Sequence, residues 1–368
     1  MTRKPQAGLR RGWTTGACAT AATKAAYGAL LTGRFADPVE IDLPRGERPS
    51  FVLAEKALLN SSALASVCKD AGDDPDVTHG ALIRVTVRRI ERGTGVLFVA
   101  GEGVGVVTRP GLPVPVGEPA INPSPRTMMR QVIQDLAAQY GDSGDVEVVV
   151  SIPGGAELAR RTANGRLGIV GGLSVLGTTG VVVPYSCAAW IHAIHRGVDV
   201  ARAAGTVHVA ACTGSTSERG VRRILKLPDH ALIDMGDFVG GMLKYLRRHP
   251  VPRLTIAGGF AKLAKLAAGH LDLHSSRSRV DFDLLGAMAE TRGVSASSFR
   301  AIVDANTALD ALVQATYAGV PLADDVAARA RQVVLDHLQG DIEVDVMVFD
   351  REARLVGRTD AGAKGRTH

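Results

Sequence analysis

The first 140 residues combine short stretches of period-two alternation with two helical stretches. Residues 17–31 are almost entirely alanine, threonine and leucine, which predicts a helix capped by a preceding threonine. Ser124 and Pro125 are the predicted N-cap and first-turn residues of a second, amphipathic helix that runs to Tyr140. The alternation predicts strands of a sheet at residues 39–43, 50–53, 82–87 and 96–100.

The pattern changes at the small polar stretch 141–144, which is the predicted boundary between domains 1–144 and 145–368. Beyond it, continuously apolar strands alternate with helices, which is typical of a mostly parallel sheet with helices on both faces. The predicted fold class is therefore α/β with two domains. The strands of the second domain are predicted at residues 146–152, 181–183, 206–211, 231–235, 254–257 and 342–349.

Residues 168–191 form the longest uncharged run of the chain. Its glycines and Pro184 disfavour a membrane-spanning helix. The spacing of Gly172, Gly177 and Thr178 resembles a phosphate-binding loop in which Thr178 replaces the lysine. This predicts a backbone nest for a ligand without a polyphosphate, such as a nucleoside or a carboxylate. The alternative is tight packing of a strand against a helix.

Two further polar loops follow predicted strands, and parallel sheets bind ligands beyond the carboxyl ends of their strands. We therefore predict one ligand site built from all three loops in the second domain. Its residues are Gly171, Gly172, Gly177, Thr178, Thr179, Gly180, Thr213, Gly214, Asp234 and Asp237.

Several polar residues lie at predicted helix starts, where the helix dipole favours an anion. Each has a structural alternative: a packing helix, a proline-rich loop or solvated lysines. His270 and His274 lack a third ligand at metal spacing, so no protein-bound metal is expected. The residues predicted to bind a polyanionic substrate are Thr14, Thr15, Gly16, Glu102, Asn122, Arg126, Lys262, Lys265 and His274.

The composition narrows the classes of partner. The net charge of +6 is modest and spread along the chain, and only 4% of residues are aromatic, which disfavours a nucleic-acid surface. The four cysteines form no C-x-x-C pair, which indicates a reducing cytoplasm. The first residues lack an apolar signal segment, and the basic tail after Asp360 is predicted to be disordered.

Four segments, in order from Arg10 to Phe349, together resemble the cobalt-precorrin-5B (C-1)-methyltransferase family of anaerobic cobalamin biosynthesis. They are GWTTGACATAATKAA, GEGVGVVTRPGL with GEPAINPSPR, GGLSVLGTTGVVVPYS, and GFAKLAKLAAGHLDLHS. One departure is Phe260-Ala261-Lys262, which stands where the family pattern suggests a His-x-Gly-Lys-like segment.

The resemblance implies methylation of C-1 of cobalt-precorrin-5B by S-adenosylmethionine, giving cobalt-precorrin-6A, and no catalytic residue is carried over. It implies a first domain like ribosomal protein S5 domain 2 and a Rossmann-like second domain. The partner would be a polycarboxylate tetrapyrrole that carries the cobalt itself, and no nucleic-acid or membrane partner is expected. The sequence leaves the oligomeric state open, with a homodimer as one candidate. We expect the cofactor on residues 172–180 and the macrocycle facing residues 14–16 and 122–126.

Two other classes fit parts of the pattern. A nucleotide-dependent oxidoreductase would use the same second-domain sheet, but no G-x-G-x-x-G opens a helix after a strand. A non-catalytic tetrapyrrole-binding protein would bind the macrocycle without consuming S-adenosylmethionine.

Overall fold

The computed structural model describes residues 8–359, and the chain divides into two compact units, Met1–Cys187 and Ala188–His368. The boundary predicted at residues 141–144 is wrong, because the next strand, Val146–Ser151, is hydrogen-bonded within the sheet of the first unit. Its partners lie earlier in the chain, so the local pattern resembles the start of a new domain. The predicted disorder after Asp360 concerns residues outside the described range.

The first unit contains three helices and eleven strands within its described residues. In chain order they are β1 (Gly12–Trp13), α1 (Thr15–Thr32), β2 (Val39–Glu40), β3 (Ser50–Phe51), β4 (Glu55–Leu58), β5 (Ser62–Cys68), β6 (Leu82–Arg89), β7 (Val96–Ala100), β8 (Val106–Val107), α2 (Pro123–Tyr140), β9 (Val146–Ser151), α3 (Gly155–Ala159), β10 (Ile169–Val170) and β11 (Val181–Val182).

The main sheet of the first unit has the strand order β4-β5-β6-β9-β7. Neighbouring strands are antiparallel except β7 and β9, which run parallel. Helix α1 packs on β5, β6 and α2, and its alanines, such as Ala17, Ala21 and Ala25, are buried. Small side chains allow the helix to approach the sheet closely.

The two long helices of this unit begin close to their predicted positions. Thr14 caps α1, since its hydroxyl accepts a hydrogen bond from the Ala17 amide at 3.1 Å. The N-cap of α2 is Asn122 and not Ser124 as predicted, because Pro123 already has a helical position. The Asn122 side chain makes no capping hydrogen bond.

The uncharged run belongs to the first unit and not to the parallel sheet. Strand β11, which the pattern assigned to that sheet, pairs antiparallel with β1, while β10 pairs antiparallel with β8. Within residues 8–359, none of the helices has the length and hydropathy needed to cross a membrane.

The second unit contains eight helices, one 3₁₀ turn and five strands within its described part. In chain order they are α4 (Cys187–Ala203), β12 (His208–Cys212), α5 (Ser215–Leu225), the 3₁₀ turn (Asp229–Ala231), β13 (Leu232–Asp234), α6 (Val239–Leu246), β14 (Arg253–Gly259), α7 (Phe260–Ala267), α8 (Phe282–Glu290), α9 (Ala296–Val303), α10 (Ala308–Tyr317), α11 (Leu322–Leu338), β15 (Glu343–Phe349) and β16 (Leu355–Arg358).

These strands form one sheet with the order β13-β12-β14-β15-β16, parallel except for the antiparallel edge strand β16. Side chains of β12 alternate between two cores. Val209 and Ala211 join the larger core with α4, α6, α7 and α11, and Ala210 and Cys212 join a smaller core with α5. The protein is therefore a mixed α/β protein with parallel and antiparallel sheets, and helices cover both faces of this second sheet.

The connections from β12 and β14 leave the sheet on opposite faces, because α5 packs in the smaller core and α7 in the larger one. Adjacent parallel strands whose connections diverge in this way leave a crevice at their carboxyl ends. The fold therefore places the loops after β12, β13 and β14 around the expected ligand position of such a sheet.

A polar network lies at the amino-terminal end of the same strands. His208 Nε2 is 2.8 Å from Thr255 Oγ1, and Arg253 pairs with the largely buried Asp345. Burial lowers the pKa of His208, and the charge of Arg253 lowers this pKa further, although Asp345 and Glu343 oppose the shift.

We expect the network to make stability depend on pH. The unfolded chain binds a proton at His208 near pH 6.5, whereas the folded chain binds it at lower pH, so stability falls as the pH falls through 6.5. Urea unfolding of the wild type and His208→Gln between pH 8 and 5 measures this effect. The difference between the two chains should change over this range; a constant difference would contradict the assignment to His208.

Candidate functional site

The uncharged loop packs on the start of α1. The Thr14 amide donates to Gly180 O at 2.9 Å, and the Gly16 amide donates to Leu176 O at 3.0 Å. Asn122 at the start of α2 joins the same loop, since its amide donates to Val175 O at 2.9 Å. We call the starts of α1 and α2 with residues 171–180 the helix-start cluster.

Three glycines of this loop are required by close packing. A Cβ at Gly177 would lie 2.2 Å from Thr14 Oγ1, and one at Gly180 would lie 2.4 Å from a Leu43 methyl group. A Cβ at Gly172 would lie 2.2 Å from Gly103 O. Gly171, with a φ of +88°, has no atom within 4 Å of its would-be Cβ. The packing alternative therefore accounts for most of the glycine pattern that the sequence associated with a ligand.

The Arg126 side chain is engaged within the first unit. Its guanidinium donates to Ile121 O at 2.8 Å and Pro119 O at 2.9 Å, and it pairs with Glu118 at 3.1 Å. These bonds hold the proline-rich segment before α2 in place, and they occupy the guanidinium of Arg126. Arg126 thus links three residues of this segment, Glu118, Pro119 and Ile121.

The accessible part of the helix-start cluster is uncharged. Thr178 is exposed and Asn122 half-buried, whereas Thr14, Thr15 and Gly16 are buried. Neither α1 nor α2 has an acidic residue in its first turn, so no carboxylate side chain there offsets the positive end of either helix dipole. Such an arrangement favours an anion such as a carboxylate. Glu102 is exposed in the turn after β7, and Thr179 folds back on Val181.

In the second unit, the loops after β12, β13 and β14 meet at the carboxyl edge of the sheet. Lys262 in α7 joins them, because its ammonium donates to Thr213 O at 2.9 Å and lies 3.0 Å from Asp237 Oδ1. Apart from this ion pair with Lys262, the buried Asp237 Oδ1 atom has no hydrogen-bond donor among the described residues. We call Thr213, Gly214, Asp234, Asp237 and Lys262 the strand-end cluster.

The spacing within the strand-end cluster matches a known arrangement for ribose binding. Gly214 follows the first strand of the parallel sheet, and the exposed Asp234 ends the next strand, 20 residues later. In doubly wound sheets an acidic residue at this position binds the hydroxyls of a ribose. The first turn of α5 carries Glu218, 3.0 Å from Arg222, and an acidic first turn disfavours a phosphate group.

The other residues predicted to bind an anion here have internal partners. Lys265 is buried and donates to Leu273 O at 2.9 Å, so it secures the loop after α7. His274 Nδ1 lies 2.7 Å from Ser276 Oγ on an exposed turn. In the described range, no three His, Cys, Asp or Glu residues are grouped as metal ligands.

The structure thus groups the predicted site residues differently from the sequence pattern. It brings residues 171–180 to Thr14, Gly16 and Asn122 in the first unit, and it brings Asp237 to Lys262 and Thr213 in the second. The sequence did not predict the Lys262–Asp237 pair, because no local pattern reveals it. It also missed Trp190, an exposed residue beside Asp234, although this is one of only two tryptophans in the chain.

These features define a mixed α/β protein with a cluster of polar side chains at the strand ends of its parallel sheet. The chain belongs to the CbiD family: the CbiD family model matches residues 2–184, and the model of the CbiD C-terminal domain matches residues 272–360.

Curated relatives cover nearly the whole chain. A protein of Paramagnetospirillum magneticum named cobalt-precorrin-5B C(1)-methyltransferase is 57% identical over 95% of this chain and 98% of its own length. A protein of Brucella anthropi with the same name is also 57% identical, over 97% of this chain and 98% of its own. The crystal structure of a cobalamin biosynthesis protein (cbiD) from Archaeoglobus fulgidus matches with 28% identity and a TM-score of 0.40, covering 73% of this chain and 83% of that one.

Proposed function

We propose that this chain methylates C-1 of cobalt-precorrin-5B with S-adenosylmethionine, giving cobalt-precorrin-6A in cobalamin biosynthesis. Membership of the CbiD family and the name shared by relatives at 57% identity support this function. The observation that carries the chemistry is the contrast between two clusters. The helix-start cluster favours anions, and the strand-end cluster is acidic.

The acidic strand-end cluster fits S-adenosylmethionine. The cofactor has an α-amino group and ribose hydroxyls that donate hydrogen bonds, and the buried Asp237 Oδ1 atom lacks a donor other than the nearby Lys262 ion pair. When bound, the sulfonium supplies an electrophilic methyl group. We assign Asp234 to the ribose hydroxyls and Asp237 to a further donor of the cofactor, with Thr213 and Gly214 lining the site.

The protein's own contribution at this cluster is positioning. Lys262 neutralises part of the Asp237 charge and holds the loop of Thr213 against it, so the acceptor atoms are fixed before the ligand arrives. Methyl transfer needs alignment and exclusion of water more than a covalent intermediate, and such pre-positioned acceptors supply alignment. Lys262 is therefore a positioning residue in this proposal and not a substrate ligand.

We assign the helix-start cluster to carboxylates of the tetrapyrrole. Thr178 and Asn122 provide accessible donors, and the positive ends of α1 and α2 favour the negative charge. This assigns residues 171–180 to the substrate, whereas the sequence pattern assigned them to the cofactor. The reason is that Gly172, Gly177 and Gly180 pack against residues of their own unit. The acidic residues that fit the cofactor lie in the strand-end cluster. Cobalt belongs to this substrate.

The acidic first turn of α5 argues against a nucleotide-dependent oxidoreductase. A dinucleotide needs its pyrophosphate at the helix start after the first strand, and Glu218 occupies that first turn in α5.

We further propose an S5-like first unit, a Rossmann-like second unit, a homodimer, and a cytoplasmic location without a nucleic-acid or membrane partner. The free state of all four cysteines supports the location.

One assay tests the proposed function. The purified chain is incubated with the tetrapyrrole, with and without cobalt, and with S-adenosylmethionine labelled in its methyl group. We expect label on ring carbon C-1 and a stoichiometric amount of S-adenosylhomocysteine. Tetrapyrrole binding without any transfer of label would support the non-catalytic alternative instead.

A further inference from the structure

Trp190 is an exposed aromatic residue in a protein with few aromatic residues. It lies in the first turn of α4 and 45% of its surface is accessible, whereas the other tryptophan, Trp13, packs edge-on against Phe51 at 5.8 Å. An indole left this exposed forgoes the burial that normally stabilises a tryptophan. Packing in the hydrophobic core therefore does not explain the position of Trp190.

The indole is held in one orientation by the loop that follows β13. Its Nε1 donates to Asp234 O at 3.3 Å, and its ring is tilted against Phe238 at 6.4 Å. Gly236 has a φ of +56°, and a Cβ there would lie 3.2 Å from the indole nitrogen. A glycine at this position lets the ring rest directly on the backbone, so the loop supports the indole as a fixed surface.

This surface adjoins the proposed ribose position, because the residue whose carbonyl anchors the indole is Asp234 itself. A ribose held by the Asp234 carboxylate carries its base within a few ångströms, on one side or the other of the loop. A flat base and a rigid indole stack favourably, since both have extended π faces.

We infer that Trp190 is the stacking platform for the adenine ring of S-adenosylmethionine. This inference rests on the proposed function, because it takes the cofactor to lie on the strand-end cluster. It adds a ligand-contacting residue, and it makes Gly236 a positioning residue that acts through Trp190.

The test measures binding without catalysis. Isothermal titration calorimetry gives Kd for S-adenosylhomocysteine, adenosine and S-adenosylmethionine with the wild type, Trp190→Phe and Trp190→Ala. We expect Trp190→Ala to weaken all three about 10- to 100-fold, and Trp190→Phe to weaken them less because a ring remains. Tyr317→Ala, which removes an aromatic ring that is 84% exposed elsewhere in the same unit, is the control and should leave Kd unchanged.

A second measurement keeps the inference testable if Trp190→Ala does not fold. In the Trp13→Phe chain, Trp190 is the sole tryptophan, and we expect S-adenosylhomocysteine to quench its fluorescence with the Kd found by calorimetry. Unchanged fluorescence at saturation would overturn the stacking role.

The outcomes separate the two proposals. If the wild type binds neither S-adenosylhomocysteine nor S-adenosylmethionine, the proposed function fails and the inference fails with it. If the wild type binds them and Trp190→Ala binds equally well, only the inference fails. A loss confined to S-adenosylmethionine would also overturn it, since that pattern indicates contact with the sulfonium and not with adenine.

Discussion

Asp234→Asn is expected to weaken binding of S-adenosylhomocysteine about 10- to 100-fold while leaving the fold intact. The carboxylate accepts hydrogen bonds from ribose hydroxyls in our proposal, and hydrogen bonds to a charged group contribute about 1.5–3 kcal/mol. Asp234 is exposed, so replacing it by a residue of the same shape disturbs no core. Calorimetric titration of both chains with S-adenosylhomocysteine measures the effect.

A matched control separates ribose binding from a general effect of charge. Asp304→Asn makes the same chemical change at an exposed position at the end of α9 in the same unit, and it should leave Kd within about twofold. If Asp234→Asn also stays within twofold, the ribose assignment is wrong. Equal loss from both variants would indicate a long-range effect of charge.

Gly177→Ala is expected to destabilise the first unit by about 2–5 kcal/mol. The added Cβ would lie 2.2 Å from the Thr14 hydroxyl that caps α1, and Gly177 has a φ of +132°. The estimate combines about 1–2 kcal/mol for the backbone conformation with about 1–3 kcal/mol for overpacking. Urea unfolding followed by Trp13 fluorescence in a Trp190→Phe background reports on the first unit alone.

Gly171→Ala provides the comparison, because that position also has a positive φ but nothing within 4 Å of the added Cβ. It should cost about 1–2 kcal/mol from the backbone conformation alone. Equal losses in both variants would contradict the packing explanation. A Gly177→Ala chain that keeps its stability and loses affinity for S-adenosylhomocysteine would restore the loop as a cofactor site.

The sequence predicted those elements whose signal is local. The alanine-rich helix, the helix ending at Tyr140 and strand β7 lie at or within a few residues of their predicted bounds. The parallel sheet of the second unit was also predicted, since runs of buried residues separated by helices identify it without knowledge of pairing.

The domain boundary and the place of the uncharged loop depend on non-local pairing. Strand β9 lies between β6 and β7 in the sheet. Strand β11 pairs with β1, which lies near the start of the unit in sequence. A strand's own residues do not specify these partners, so the pattern assigned both strands to the following sheet. A glycine-rich loop likewise looks the same whether it approaches a ligand or, as at Gly177, a neighbouring side chain.

The sequence predicts which loops form the candidate site of the second unit, but not which of their charged side chains are paired. Polar residues after apolar strands identified Thr213, Gly214, Asp234 and Asp237 as one group, because the carboxyl ends of parallel strands share an edge. The sequence does not reveal which charges are satisfied internally. Arg126 and Lys265 have internal hydrogen-bond partners, and Asp237 is paired with Lys262, whose ammonium lies 3.0 Å from the Asp237 Oδ1 atom.

We propose that the strand-end cluster, and not the uncharged loop, holds the cofactor. A crystal structure of the chain with S-adenosylhomocysteine tests it most directly. We predict the ribose against Asp234 at the carboxyl ends of β12 and β13. A ligand bound instead on residues 171–180 would contradict the account.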